Sequence, residues 1–386
     1  MSIKVIYGKA GTGKTTYLAK LINDAIKNNK SFFVLSYTHS AVNNIYNKSG
    51  LKSKNNFKTL HSYFRISVNN SNEILGPITR RKVDYLFIDE FSLIPKDMFK
   101  RCYNISKTYV GQYILSGDPL QLNPICNDKQ YISFNKLNKL YPLSIKAIEH
   151  YHKSIFGTKL IQNSDKVILR DNKRSNNYVL NVLDNIYNNN NPDIHLIRFN
   201  EIKNLVLNSN YTFLASKYNI LERINELVYR DKAEYIIDQH DIGNNYGFRY
   251  LYLHKNMKIM VTRTFDIFYN TEVLTFVKLI DNIYLQCLRE DGTMVIMEKI
   301  PDDYNNKFYP ISPANILTIH KSQGKSIDNV ILCVDDLFDI AMFYTGVTRA
   351  INNIVFYTRT NDINTLFQNA YVKEINELNN LIYEQK

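Results

Sequence analysis

Short apolar runs bounded by turns recur along the first part of the chain, at residues 3–7, 32–35, 85–88 and 113–115. Each precedes a turn and a helical pattern, which is the rhythm of a parallel α/β sheet. Between the first two runs, Leu18, Leu21, Ile22, Ala25 and Ile26 fall at helical spacing and make one apolar stripe to pack on that sheet. A second series opens at residues 167–169 and continues at 211–214, 330–334 and 354–357, predicting a second α/β domain with the boundary near 150–165. The tract at 188–192, four asparagines and a proline, reads as a loop inside that domain. Residues 262–312 break the rhythm, because 273–277, 284–288 and 293–297 are short β runs with turns between them, and Asp291-Gly292 is a strong hairpin signal. The pattern predicts an α/β protein of two parallel-sheet domains, 1–155 and 156–386, the second carrying a small antiparallel β-barrel at 262–312.

The chain length of 386 residues suits such a division. An apolar fraction of 45% with 22% charged residues is that of a folded protein rather than a disordered one. Lys and Arg total 48 against 36 Asp and Glu, a net +12 that suits either a polyanion-binding protein or simply a solvated basic surface. Cys102, Cys126, Cys287 and Cys333 form no CxxC pair, so neither a zinc site nor a disulfide framework is expected. No run approaches the roughly 18–20 apolar residues of a membrane span. The first seven residues read as a strand and not as a signal peptide, so a soluble, intracellular protein is expected.

The chemistry starts at Gly8-Lys9-Ala10-Gly11-Thr12-Gly13-Lys14-Thr15, a full GxxxxGK[ST] string after a strand and before a helix that continues with Thr16. Its glycines let backbone N–H groups turn onto phosphates, Lys14 reaches the β and γ oxygens, and Thr15 ligates Mg2+. Asp89-Glu90 closes the apolar run at 85–88, at the strand end where an open α/β sheet binds ligands. Asp89 is expected to hold the magnesium and Glu90 to act as general base on the attacking water.

With these in place the chain resembles the superfamily 1 helicases, most closely the RecD-like branch that includes the phage Dda-type enzymes. The resemblance covers nearly the whole chain. It is carried in order by Ser36-Tyr37-Thr38-His39-Ser40-Ala41-Val42, Thr59-Leu60-His61-Ser62, Asp89-Glu90-Phe91-Ser92 and Gly117-Asp118-Pro119-Leu120-Gln121-Leu122. Thr318-Ile319-His320-Lys321-Ser322-Gln323-Gly324 and Tyr344-Thr345-Gly346-Val347-Thr348-Arg349-Ala350 complete it. The resemblance implies RecA-like domains, an ATP- and Mg2+-dependent helicase acting as a monomer on single-stranded DNA in preference to RNA, and a viral or phage-like source.

It assigns Gln121 to the γ-phosphate, and Arg349 and Arg174 to arginines that reach across the cleft from the second domain. Within Leu169-Arg170-Asp171-Asn172-Lys173-Arg174-Ser175, Arg170 or a solvated charge cluster competes for the role of Arg174. Gly324 is carried over as a nucleotide contact, and Thr38, Thr59, His61, Thr318 and His320 as strand contacts. His61 and His320 could equally be buried, hydrogen-bonded histidines. Lys217 and Asn219 resemble additional nucleotide or strand contacts.

Departures from the family are also visible. The phosphate loop starts at residue 8, which leaves no room for the upstream glutamine that reads adenine, and the segment between Ser62 and Val83 is short for a strand-splitting pin. Other readings stay open: a viral-type RNA helicase or RNA 5′-triphosphatase, and an NTP-gated nucleic-acid-binding module that never separates strands. The small barrel placed just before Thr318 resembles the branch that moves 5′ to 3′.

Overall fold

The computed structural model describes residues 2–67, 75–76, 81–122, 124, 154–187, 194–239, 248–302, 306–335, 337 and 340–359. The first domain alternates strands and helices: β1 (Ser2–Gly8), α1 (Lys14–Lys27), β2 (Phe32–Ser36), α2 (His39–Ser49), β3 (Phe57–Thr59), α3 (Leu60–Phe64) and β4 (Val83–Asp89). It continues with α4 (Lys96–Ser106), β5 (Val110–Gly117), the single turn α5 (Lys159–Gln162) and β6 (Asp165–Leu169). The strands form one parallel sheet in the order β3-β2-β4-β5-β1-β6. Because helices and loops cover both faces, the central strands carry apolar runs buried on both sides: Val5, Ile6, Leu35, Leu86, Ile88 and Leu115 are each at most 1% exposed. The stripe on α1 packs as expected, with Leu18, Ile22 and Ala25 buried, each large side chain worth about 1.5–3 kcal/mol of burial, while Ile26 ends exposed.

The position of β6 corrects the expected boundary. The run at 167–169 was expected to open the second domain, yet Lys4–Gly8 pairs in parallel with Asp165–Leu169, so this strand closes an edge of the first sheet. A buried-strand run carries no mark of which sheet it joins, and only pairing decides it. The changeover therefore falls after Leu169, at residues 170–176.

The second domain runs α6 (Asn177–Tyr187), β7 (Leu196–Ile197), α7 (Phe199–Asn208), β8 (Tyr211–Ala215) and α8 (Tyr218–Tyr229). A hairpin of β9 (Tyr235–Asp238) and β10 (Tyr250–Leu253) follows. Next come β11 (Lys258–Val261), β12 (Val273–Ile280), β13 (Tyr284–Leu288), β14 (Met294–Met297), the short pair β15 (Ile300–Pro301) and β16 (Lys307–Phe308), and β17 (Ile311–Pro313). The chain then returns through β18 (Ile316–Thr318), β19 (Ile327–Cys333), α9 (Ile340–Val347) and β20 (Ala350–Tyr357). Strands β18-β8-β19-β20-β7 make a second parallel sheet. The expected loop at 188–192 lies outside the described residues, directly after α6.

The stretch expected to be a barrel is an antiparallel sheet, β14-β13-β12-β11-β17, spanning Lys258 to Pro313. Its strands alternate, burying Leu274, Phe276, Leu285, Cys287, Val295 and Met297 on one face. The Asp291-Gly292 turn joins β13 and β14, with Gly292 at φ 85° and the Asp291 carboxylate accepting from the Thr293 amide at 2.9 Å. Among the described residues β14 and β17 remain the sheet's two edges, so the pairing does not close it into a barrel.

One contiguous apolar cluster crosses from the first domain to the second, holding Leu115, Leu120 and Leu122 together with Phe343, Tyr344 and Val347. Both sheets meet over a shared core. No helix among the described residues is long and apolar enough to cross a membrane.

Candidate nucleotide site and nucleic-acid interface

The phosphate loop is built by backbone constraints that only glycine meets. Gly11 and Gly13 have φ of 80° and 86°, the left-handed region, and a Cβ on Gly8 would lie 2.3 Å from Thr12 Oγ1. The loop delivers the chain to α1, whose first turn has no acidic residue and no side-chain cap, so its positive end faces the loop. Lys14 is buried, and its ammonium donates to the carbonyls of Gly8 at 2.7 Å and Lys9 at 3.0 Å. Thr15 sits beside it with its hydroxyl toward Asp89; Thr16, one residue on, is exposed.

Asp89 ends β4 and Glu90 follows in a left-handed conformation, φ 52°. The Glu90 amide donates to Asp89 Oδ1 at 3.0 Å. Burial pushes the Asp89 carboxyl up, against the pull of the Lys14 ammonium and the Thr15 hydroxyl. Burial also pushes Glu90 up, and the neighbouring Asp89 adds to it, against Lys14 and Arg349. Glu90 Oε2 is buried without a hydrogen-bond partner among the described residues. An orphaned carboxylate oxygen beside a phosphate loop suits a water or a magnesium-bound group between Glu90, Asp89 and Thr15.

The second domain and the segment leading into it each bring an arginine to this cleft. Arg349, 2% exposed, donates to Thr345 O at 3.1 Å, Lys325 O at 3.3 Å and Thr348 Oγ1 at 3.1 Å, with Glu90 close enough to act on it electrostatically. Arg174 donates to the Thr348 carbonyl and, at 3.2 Å, to Ser326 Oγ. Burial and the adjacent Arg349 lower it to about 10, with Glu90 pulling the other way. Arg170 is exposed at the end of β6, so the structure brings Arg174 to Arg349 and Glu90.

The segment between the domains is tied to the loop as well. Asn172 donates to Ala10 O at 3.0 Å, and the Lys173 amide donates to Gly11 O at 2.8 Å. Gln121, 3% exposed, donates to Asp118 Oδ2 at 3.4 Å. Gly324 packs against Ser40 and Ala41 at the start of α2, one residue before the Lys325 carbonyl that holds Arg349.

A second concavity of about 1050 Å³ runs across both domains and the inserted sheet. Thr38, Thr59, His61 and His320 line it. Thr38 and Thr59 cap the helices they precede, accepting from the amides of Ala41 and Ser62 at 3.2 Å, and Thr318 accepts from Lys321 N at 3.1 Å in the same way. Each therefore turns a set of backbone N–H groups outward at a strand end and keeps a hydroxyl proton to donate. Thr318 stands behind the wall and not on it. His61 packs at 5.2 Å against the Tyr37 ring, the two planes tilted by 55°, and burial followed by the nearby His39 lowers its pKa below the usual histidine range. Lys217 and Asn219 sit at the start of α8, away from the groove wall.

Sequence reading missed Arg65, Arg263, Thr264 and Lys321 on this wall. Lys321 lay inside a quoted string. Arg263 sits in the insert, where only tertiary folding shows that the Thr262-Arg263-Thr264 segment faces the first domain.

Comparisons with known proteins follow the same outline. A family model described as an AAA domain matches residues 1–137. The solved structure of Bacteroides Pif1 bound to ssDNA superposes over 92% of this chain and 88% of that chain, with a TM-score of 0.63 at 21% identity. The chain has the Pif1 helicase fold. The Candida albicans Pif1 helicase structure agrees, covering 93% of this chain and 92% of that one at a TM-score of 0.61 and 16% identity. Among curated proteins, the ATP-dependent DNA helicase Pif1 of Campylobacter jejuni is 30% identical over 119 residues, 28% of this chain and 26% of that protein. The DNA replication ATP-dependent helicase/nuclease DNA2 of Saccharomyces cerevisiae is 29% identical over 152 residues, 31% of this chain and 10% of that protein. The matched segments thus span about a quarter or less of these curated relatives.

Proposed function

We propose that the protein is a superfamily 1 helicase of the RecD-like, Dda-type branch, a monomer that hydrolyses ATP and moves 5′ to 3′ on single-stranded DNA. The observation that carries the reading is the convergence of Arg349, from the second domain, and Arg174, from the segment that joins the domains, on the Lys14, Asp89 and Glu90 cluster of the first. A cleft whose lysine and general base belong to the first domain and whose Arg349 comes from the second works only when the domains close, which couples hydrolysis to their relative motion.

In this mechanism Lys14 leaves the Gly8 and Lys9 carbonyls for the β and γ oxygens, and Gln121 contacts the γ-phosphate. Glu90 orients the attacking water and accepts its proton. Arg349 and Arg174 stabilise the charge that spreads over the transferring phosphoryl group. Thr15 and Asp89 would hold a magnesium ion, which would supply further positive charge to the nucleotide phosphates. Loss of the γ-phosphate releases Gln121 and both arginines, and the groove opens and closes along the strand. The 5′ to 3′ direction rests on the resemblance, supported by the position of the inserted sheet directly before β18 and Thr318.

Partial duplexes with only a 5′ or only a 3′ single-stranded DNA tail, given ATP and magnesium, test the reading. Release from the 5′-tailed substrate is expected. Release from the 3′-tailed one overturns the polarity, and release from RNA but not DNA tails moves the protein to the RNA helicases. Strand-stimulated hydrolysis without release from either leaves an NTP-gated binding module.

A further inference from the structure

The loop bearing Gln121 is gripped by two hydroxyls from α9, the helix that leads to Arg349. The Tyr344 hydroxyl accepts from the Ala10 amide of the phosphate loop at 3.1 Å and donates to Asp118 Oδ2 at 2.9 Å. That same carboxylate oxygen accepts from Gln121 Nε2. One residue on, Thr345 Oγ1 accepts from the Leu122 amide at 3.0 Å, while the Thr345 carbonyl accepts from Arg349 Nε at 3.1 Å. Asp118, Tyr344 and Thr345 are at most 1% exposed, so these bonds are made away from water, where a missing partner is costly.

From these contacts we infer that Tyr344 and Thr345 are positioning residues that set Gln121 and Arg349 as one unit and carry the state of the strand groove to the nucleotide cleft. The inference rests on the proposed ATPase. The route is continuous. His320 and Lys321 line the groove, and the same segment ends at Lys325, whose carbonyl holds Arg349 Nη1. Arg349 is tied to Thr345, and Thr345 and Tyr344 are tied to the loop from Asp118 to Leu122. A rotation of the second domain that moves the groove segment must move α9, and α9 moves Gln121 and the Ala10 peptide together. Tyr344 need touch no phosphate for this. Its hydroxyl fixes where the Asp118 carboxylate, and through it the Gln121 amide, stands relative to the phosphate loop.

Hydrolysis measured with and without a single-stranded DNA oligonucleotide tests the inference, using the full chain with Tyr344→Phe, Thr345→Val and Thr345→Ser. Tyr344→Phe is expected to lower the strand-stimulated kcat by about tenfold or more, the effect of losing buried hydrogen bonds that hold Gln121 in place, with the KM for ATP within roughly threefold. The rate without DNA changes less, so the stimulation ratio falls toward one. Thr345→Val loses the ratio in the same way, and Thr345→Ser, which keeps the hydroxyl, restores it. A Tyr344→Phe enzyme with the native stimulation ratio overturns the inference. So does an equal fall of both rates, because that is the signature of a locally misfolded loop. Failure of Tyr344→Phe to fold leaves the valine and serine pair to decide: equal ratios in the two overturn it. If the native chain shows no hydrolysis even with DNA, the proposed function itself fails, an outcome distinct from all of these.

Discussion

Glu90 stands in a backbone conformation that non-glycine side chains adopt at a cost, with one carboxylate oxygen buried and without a hydrogen-bond partner among the described residues. Glu90→Gln keeps the Cβ and the backbone strain and removes only the capacity to accept a proton, so its effect reads the chemistry alone. Hydrolysis is expected to be abolished by Glu90→Gln and by Lys14→Ala, with single-strand affinity intact because the groove is built from other residues. Stimulated ATPase beside an anisotropy titration with a labelled oligonucleotide checks both, and ordinary turnover by Glu90→Gln removes the general-base role. Arg349 makes its hydrogen bonds to Thr345, Lys325 and Thr348 within its own domain, so its head is already placed before nucleotide arrives. Arg349→Ala is therefore expected to lower kcat by about a thousandfold or more with a much smaller change in nucleotide affinity. Single-turnover rates at saturating ATP measure it; a loss confined to KM would mean the arginine contributes binding and not transition-state stabilisation.

At the scale of elements, the helix starts do most of the positioning. The phosphate loop, α1 and the ends of β2 and β4 were legible because their chemistry is local: a glycine that needs left-handed backbone, a lysine and a carboxylate pair read directly from residue order. The groove was legible only in part. Thr38, Thr59, His61 and His320 came from the family resemblance of the strings that hold them, whereas Arg65 and Arg263 reach the same wall from segments distant in sequence, and nothing local distinguishes them from surface arginines. Lys321 shows what the assembled groove does to a charge. It stands over the Tyr218 ring at 5.3 Å, half-buried, and burial followed by the nearby Lys325 lowers it to about 8. Its ammonium is present below that pH and lost above it, and a bound phosphate raises the value further by favouring the charged form. Single-strand affinity is thus expected to be full near pH 7 and to weaken as pH rises through and beyond about 8. Titrations at constant ionic strength from pH 7 to 9, with Lys321→Arg as the variant that stays charged, follow this; the same pH dependence in Lys321→Arg would assign it to another group.

Over the whole molecule, the two-domain α/β plan followed from apolar periodicity, and the inserted sheet from the change of period. What periodicity could not supply was membership. Residues 165–169 look like any buried strand, and the structure pairs them with β1, the first strand of the chain. During synthesis, then, the first sheet keeps one side of β1 uncovered until the ribosome has delivered Leu169 and the residues that hold it in place. A chain stopped at residue 155 presents Val5, Ile6 and Tyr7, all nearly fully buried in the finished protein, along an open edge that invites pairing with a second copy. A chain stopped at residue 176 has that edge filled. Expressed side by side, the shorter fragment is expected in the insoluble fraction and the longer one as a monomer by size-exclusion chromatography. Equal solubility would show that β6 is dispensable for closing the sheet. Those few residues, the last strand of the first domain to be made, thus decide whether a partly made chain can wait safely for the rest of itself.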